Sequence, residues 1–142
     1  MIKKILLPTD GSEHAKKALA YACDLALKYG ATLHLIHVVS PPPALFHEAA
    51  FAMPDIQKAL EEDGKRIIQD VEGEAKKSGV QAIRSTLVQG NPASEIIRFA
   101  EAEGIDMIVM GSRGLTAVKE FVLGSVSHRV THLAMCTVTI VK

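Results

Sequence analysis

Apolar positions along this chain alternate between two rhythms. Residues 2–8 (IKKILLP) form a short apolar run stopped by proline, which predicts a strand. Next, Ala15, Ala18, Leu19, Ala22, Leu25, Ala26 and Tyr29 recur at i, i+3, i+4 and i+7. That spacing predicts an amphipathic helix with Ser12 as N-cap and Gly30 as terminator. Residues 31–39 (ATLHLIHVV) predict a second strand. Pro41, Pro42 and Pro43 then remove three N–H donors and interrupt regular structure. Residues 55–78 predict a long helix with Ile56, Leu60, Ile67 and Val71 inward and Gly79 as its stop. Residues 80–88 predict a third strand. Asn91 and Pro92 open another helix and Gly104 closes it. Residues 105–110 (IDMIVM) are almost continuously apolar, as in a strand covered on both faces. Residues 124–134 predict the last helix, with Val126, Val130 and Leu133 on one side, and residues 136–142 the last strand. There Val138 and Ile140 alternate with Thr137 and Thr139, the pattern of a strand with one less protected face.

The alternation of strand and helix, without internal repeats, predicts an α/β fold: a doubly wound five-stranded parallel sheet with helices on both faces. A length of 142 residues fits one domain, 1–142. With 48% hydrophobic residues and no Trp, the core is expected to be aliphatic. Sixteen Lys and Arg balance sixteen Asp and Glu, so no global field draws in nucleic acid or anionic lipid. Neither is an expected partner. The apolar start is cut short by Pro8 and Asp10, too soon for a signal peptide, and no segment reaches the length of a membrane span. The expected location is the cytoplasm. Cys23 and Cys136 form no CxxC pair and are expected as free thiols.

In open parallel sheets, ligands bind at the carboxyl ends of the strands, where strand order reverses. Two such ends carry unusual residues. After the first strand comes PTDGS; after the fourth comes GSRGLTAVKEFVLGS, with Gly111, Gly114, Gly124 and Ser125. Glycine allows close backbone approach. The first N–H groups of a helix lack internal partners and carry partial positive charge. A Gly-Ser-Val-Ser run at the last helix start therefore predicts an anion site, with Ser125 and Ser127 hydroxyls as extra donors. Spacing alone leaves a second reading open: a glycine-punctuated loop with a capping serine. Known phosphate motifs are excluded. There is no GxxxxGK[ST], Gly64-Lys65 lies inside a predicted helix, and no GxGxxG follows the first strand.

The whole chain resembles the universal stress protein family, in its nucleotide-binding branch. The resemblance rests on KKILLPTDGSEHAKKAL, LHLIHVV and IDMIVMGSRGLTAVKEFVLGSVSHRVTHLAMCTVTIVK, and on the Gly111, Gly114, Gly124-Ser125 spacing. It implies strand order 3-2-1-4-5, an ATP (or AMP or ADP) ligand with Mg²⁺, and a role as a stress-response regulator. It places adenine at the backbone of Val38. It places ribose and metal near Asp10, framed by Pro8 and Thr9, with Asp10 as the metal ligand. It places ribose and phosphates at Gly111, Ser112, Arg113, Gly114, Gly124, Ser125, Val126 and Ser127, with Met110 entering the loop. It also implies a homodimer through the last strand, 136–142. One departure is visible: relatives often begin that strand with Cys-Pro, whereas Thr137 follows Cys136 here.

Catalysis is a separate question. The motif supplies Arg113, Lys119 and Asp10, and no second carboxylate is clearly placed to orient water. The expectation is binding with slow or no hydrolysis. The alternatives are an interaction or chaperone-like protein of the same fold that binds no nucleotide, and a true ATPase or phosphotransferase. Valine at Gly124 is expected to fill the phosphate position. His128 and His132, four apart on the last helix, are read as a solvated face. His34 and His37 should point to opposite faces of their strand, with His37 structural. Residues 41–53, with Phe46, Phe51 and Met53, are a candidate lid or loop packing.

Overall fold

A computed structural model describes residues 1–40, 53–114 and 123–142. The candidate lid, apart from Met53, lies outside the described residues, as does Lys119. The elements run β1 (Lys4–Pro8), α1 (Glu13–Tyr29), β2 (Thr32–Val39), α2 (Pro54–Lys77), β3 (Ile83–Gln89), α3 (Pro92–Glu103), β4 (Met107–Gly111), α4 (Ser125–Leu133) and β5 (Thr137–Val141). All strand pairs are parallel, in the order β3-β2-β1-β4-β5. This is the expected doubly wound sheet.

The helix ends follow from local chemistry. The hydroxyl of Ser12 accepts from the N–H of Ala15 (3.2 Å), and Gly30 closes α1 at φ 62°. Asn91 accepts from the N–H of Ser94 (3.1 Å) ahead of Pro92, and Gly104 closes α3, also at φ 62°. These left-handed positions suit glycine because it has no Cβ to clash.

The sheet is buried on both sides. Ile5, Leu7, Leu33, Leu35 and Val109 meet Ala18, Leu19 and Ala22 of α1 and Ile68, Val71 and Ala75 of α2. On the other face Leu6, Ile36, Ile108 and Met110 meet Ala93, Ile96 and Ala100 of α3 and Val130 of α4. Cys23 and Cys136 are both free thiols. Asp106 pins the chain start by accepting from the backbone N–H of Lys3 and Lys4, both at 2.9 Å.

The inward face of α2 differs from the expected one. Its buried residues are Gly64, Ile68, Val71 and Ala75, whereas Ile56, Leu60 and Ile67 are only half-buried. Gly64 sets this rotation. A Cβ there would stand 3.0 Å from side-chain atoms of Leu87 and Val39 and 3.1 Å from His37, so the helix rests on the sheet at its glycine.

His34 and His37 do lie on opposite faces. His34 packs edge-on against Phe99 of α3, with ring centroids 6.0 Å apart. It is 3% exposed, and its Nε2 has no hydrogen-bond partner among the described residues. Burial, aided by Lys4 and Arg84, holds its pKa below the ordinary 6.5. The unfolded chain therefore takes up a proton on this imidazole at a higher pH than the folded one. Stability is expected to fall as pH drops below about 6.5, while the depressed pKa of Asp106 keeps that carboxylate out of the same window. Urea titrations at pH 7.5 and 5.5 should show this loss in the native chain and a smaller one in His34→Leu. Equal losses in both would remove His34 as the cause.

Candidate functional site

β1 and β4 are neighbours, with Ile5 opposite Met107 and Leu6 opposite Ile108. The chain runs β1, β2, β3 to one side and then crosses to β4 and β5 on the other. The carboxyl ends of β1 and β4 therefore border the crevice where strand order reverses.

Pro8 ends β1 opposite Ile36, and the N–H of Thr9 extends the ladder to the Ile36 carbonyl at 2.9 Å. Thr9 is buried, and its carbonyl accepts from Nδ1 of His37 at 2.7 Å. Gly11 turns the chain at φ 77°, and Oδ1 of Asp10 accepts from the N–H of Ser12 at 2.9 Å. The side chain of Asp10 thus stabilises the turn into α1, as an Asx turn does. Val38 stands beyond the last paired residue of β1, half-buried and in register with Val88 of β3.

Met110 and Gly111 are the last, buried residues of β4, opposite Ile140 and Val141. A Cβ on Gly111 would stand 2.8 Å from the backbone C and O of His14, so the first turn of α1 rests directly on this glycine. Ser112 is buried, and its N–H donates to the Val141 carbonyl at 2.9 Å. The N–H of Gly124 donates back to the Ser112 carbonyl at 2.6 Å, which joins the two ends of the loop. Gly114 faces Asp10 across the crevice: a Cβ there would come 2.5 Å from Oδ2 of Asp10. The structure thus brings Asp10, Gly111, Ser112, Arg113, Gly114 and Gly124 together.

α4 begins at Ser125 with Gly124 as N-cap, and no side chain caps it. Its first intrahelical bond runs from the N–H of His128 to the Gly124 carbonyl at 2.9 Å. The N–H groups of Ser125, Val126 and Ser127 precede that bond and form the orphan donors of a helix start. Ser125 is exposed and Val126 half-buried. Ser127 departs from the expected role of its hydroxyl. It is 3% exposed and donates its one O–H proton to the Gly111 carbonyl at 2.7 Å. It braces β4 against α4, and only its backbone N–H remains as an anion donor. Gly124 departs as well. A Cβ on it would point at Cα of Arg113 (3.3 Å) and the carbonyl of Ser112 (3.4 Å), toward the loop.

The buried side-chain nitrogens without hydrogen-bond partners among the described residues are Nδ1 of His14, Nε2 of His34 and Nε of Arg113. His14 touches Gly111, and Arg113 lies in the loop itself. Buried polar atoms without partners are costly, and two of these three, on His14 and Arg113, belong to residues at the β4 side of the crevice. Sequence reasoning missed His14 here, because its contact with Gly111 joins distant parts of the chain. No group of three or more His, Cys, Asp or Glu among the described residues is arranged to hold a metal. No helix among them is long and apolar enough to cross a membrane.

Comparison with known proteins gives the same frame. The chain is 37% identical over 142 residues to the universal stress protein MJ0531 of Methanocaldococcus jannaschii, covering all of this chain and 83% of that one. The solved structure of the hypothetical protein MJ0577 superposes with a TM-score of 0.87 at 34% identity, covering 100% of this chain and 96% of that one. The same fold recurs in a universal stress protein solved in complex with cAMP, at a TM-score of 0.73 and 24% identity over 99% of this chain and 96% of that one. It recurs too in one from Archaeoglobus fulgidus in complex with dAMP, at a TM-score of 0.73 and 19% identity over 100% of this chain and 98% of that one. The family model described as "Universal stress protein family" matches residues 1–142, so the chain belongs to that family.

Proposed function

We propose that this chain binds an adenine nucleotide, ATP with Mg²⁺ foremost, in the crevice between the ends of β1 and β4. It acts as a nucleotide-responsive regulator with slow or no hydrolysis. The observation that carries this reading is the uncapped start of α4. It lies beside close-packed Gly111 of β4 and the Nε of Arg113, which has no hydrogen-bond partner among the described residues. Three backbone donors and a guanidinium suit a phosphate chain. The cAMP and dAMP complexes of other proteins with this fold support an adenine nucleotide as the class of ligand.

Adenine is assigned to the backbone near Val38. Ribose is assigned to the turn of Pro8, Thr9 and Asp10, and phosphates to Gly111, Ser112, Arg113, Gly114, Gly124, Ser125, Val126 and Ser127, with Met110 leading in. Mg²⁺ takes few protein ligands and several from phosphate and water, so a single carboxylate, Asp10, fits it. Micromolar affinity needs about −8 kcal/mol. Charge-assisted hydrogen bonds of roughly 1.5–3 kcal/mol each, with adenine burial, reach that without a Walker lysine. The outer edge of β5, Thr137–Val141, is assigned to pairing with a second copy, since β5 ends the sheet and an edge strand invites pairing.

The test is to denature purified protein, identify released small molecules by mass spectrometry, and titrate ATP with and without Mg²⁺ by calorimetry. An adenine nucleotide in the released pool, or saturable ATP binding, is expected. Neither, at millimolar ATP, overturns the reading and favours a nucleotide-free interaction protein. Turnover above about 1 s⁻¹ would make it an enzyme instead. The contact between Gly114 and Asp10 adds a sharper expectation. Gly114→Ala displaces the Asp10 carboxylate and should weaken Mg²⁺–ATP binding about tenfold, or about 1.4 kcal/mol. Asp10→Ala should do much the same, and the double variant should be little worse, because both lose one interaction. Full additivity would separate the two residues.

A further inference from the structure

We propose that His128 and His132 form a surface site for a divalent late first-row transition ion, Zn²⁺, Ni²⁺ or Cu²⁺, separate from the nucleotide crevice. Both residues are exposed on α4, four positions apart and therefore on one face. Their rings lie nearly parallel, 4° between planes, with centroids 6.4 Å apart. Neither ring makes a hydrogen bond or ion pair among the described residues, so metal binding breaks no such contact with them. Metal–nitrogen bonds of about 2.0–2.1 Å require the two nitrogens to approach within roughly 3 Å, which exposed side chains reach by turning about their own bonds. The helix backbone fixes the spacing in advance, so binding orders only two side chains.

The electrostatics of α4 favour a cation at this place. The pair runs from the middle of the helix to its last turn, where unsatisfied carbonyls carry partial negative charge. The anion-accepting N–H groups are at the opposite end. Arg129 follows His128 directly but projects roughly 100° round the helix from it. Imidazole ligands select Cu²⁺, Ni²⁺ and Zn²⁺ over the hard Mg²⁺, which prefers oxygen. The described residues supply no third ligand nearby, so water completes the coordination.

Untagged, nucleotide-free protein is titrated with Zn²⁺ by calorimetry in the presence of excess Mg²⁺, and Cu²⁺ is added in parallel for electron paramagnetic resonance. One ion per chain is expected, with two nitrogens in the Cu²⁺ spectrum. His128→Ala and His132→Ala should each weaken Zn²⁺ binding at least tenfold, whereas Asp10→Ala should leave it unchanged. Alanine at these exposed helical positions keeps the helix intact, which circular dichroism verifies. Absence of saturable binding overturns the site. So does binding that only one of the two histidines affects, or that Asp10→Ala removes.

Discussion

Replacing Gly111 by alanine is expected to lower the stability of the chain by about 2–3 kcal/mol, toward the top of the range for overpacking a tight site. For a chain of this size that lowers Tm by roughly 6–10 °C. The added Cβ would meet the backbone C and O of His14 at 2.8 Å and its Cβ at 3.0 Å. A side chain could rotate away, but helix backbone cannot. α1 is itself held by Ala15, Ala18 and Leu19 in the core. Gly111 is equally fixed, with its carbonyl accepting from Ser127 and its position set by pairing with Val141. One of these packed elements must move. Thermal and urea unfolding measure the effect directly, and an unchanged Tm would mean that α1 does not rest on β4 at this point.

Gly124→Val is expected to weaken ATP binding about 100-fold, or about 2.8 kcal/mol, with stability changed by less than about 1 kcal/mol. The backbone here, φ −69° and ψ 162°, is an extended conformation that valine adopts freely. The cost comes from contact. Branched methyls would press on Arg113 and Ser112 and stretch the 2.6 Å bond between the two loop ends. The orphan N–H groups of α4 would then no longer converge. Gly124→Ala adds a single carbon in a gap that gives by a few tenths of an ångström, so it should weaken binding less than tenfold. Calorimetry with ATP ranks the three proteins. Equal affinity in all three would detach Gly124 from the phosphate cradle.

The reason behind that second expectation changed between sequence and structure. In the sequence, Gly124 reads as a place where a side chain would collide with phosphate. In the structure, its missing side chain points into the loop, and the effect on ligand is indirect. The difference was not legible, because the direction of a Cβ depends on how loop ends are joined. Helix caps were legible. Ser12, Gly30, Asn91 and Gly104 act within a few residues of themselves, and short-range chemistry decides them. The strand order came from family resemblance, since alternation of elements does not order a parallel sheet. The face of α2 was misread by one position, at Ile67 in place of Ile68. An apolar pattern gives a glycine no weight, yet Gly64 is where the helix touches the sheet. Ser127 was read as a donor to ligand. Its hydroxyl proton is taken by a carbonyl that is distant in sequence and close only after folding.

The two histidines of β2 sit on opposite faces of one strand and have different partners. His34, near the start of the strand, resists protonation because burial strips water from its charge, with Lys4 and Arg84 adding to the effect. His37, near its end, faces the carbonyl of Thr9, which only accepts, so Nδ1 must carry the proton of their 2.7 Å bond. That bond latches the strand that carries Val38 to the turn that carries Asp10. Mild acid should therefore act on this strand through His34, on the face that α3 covers.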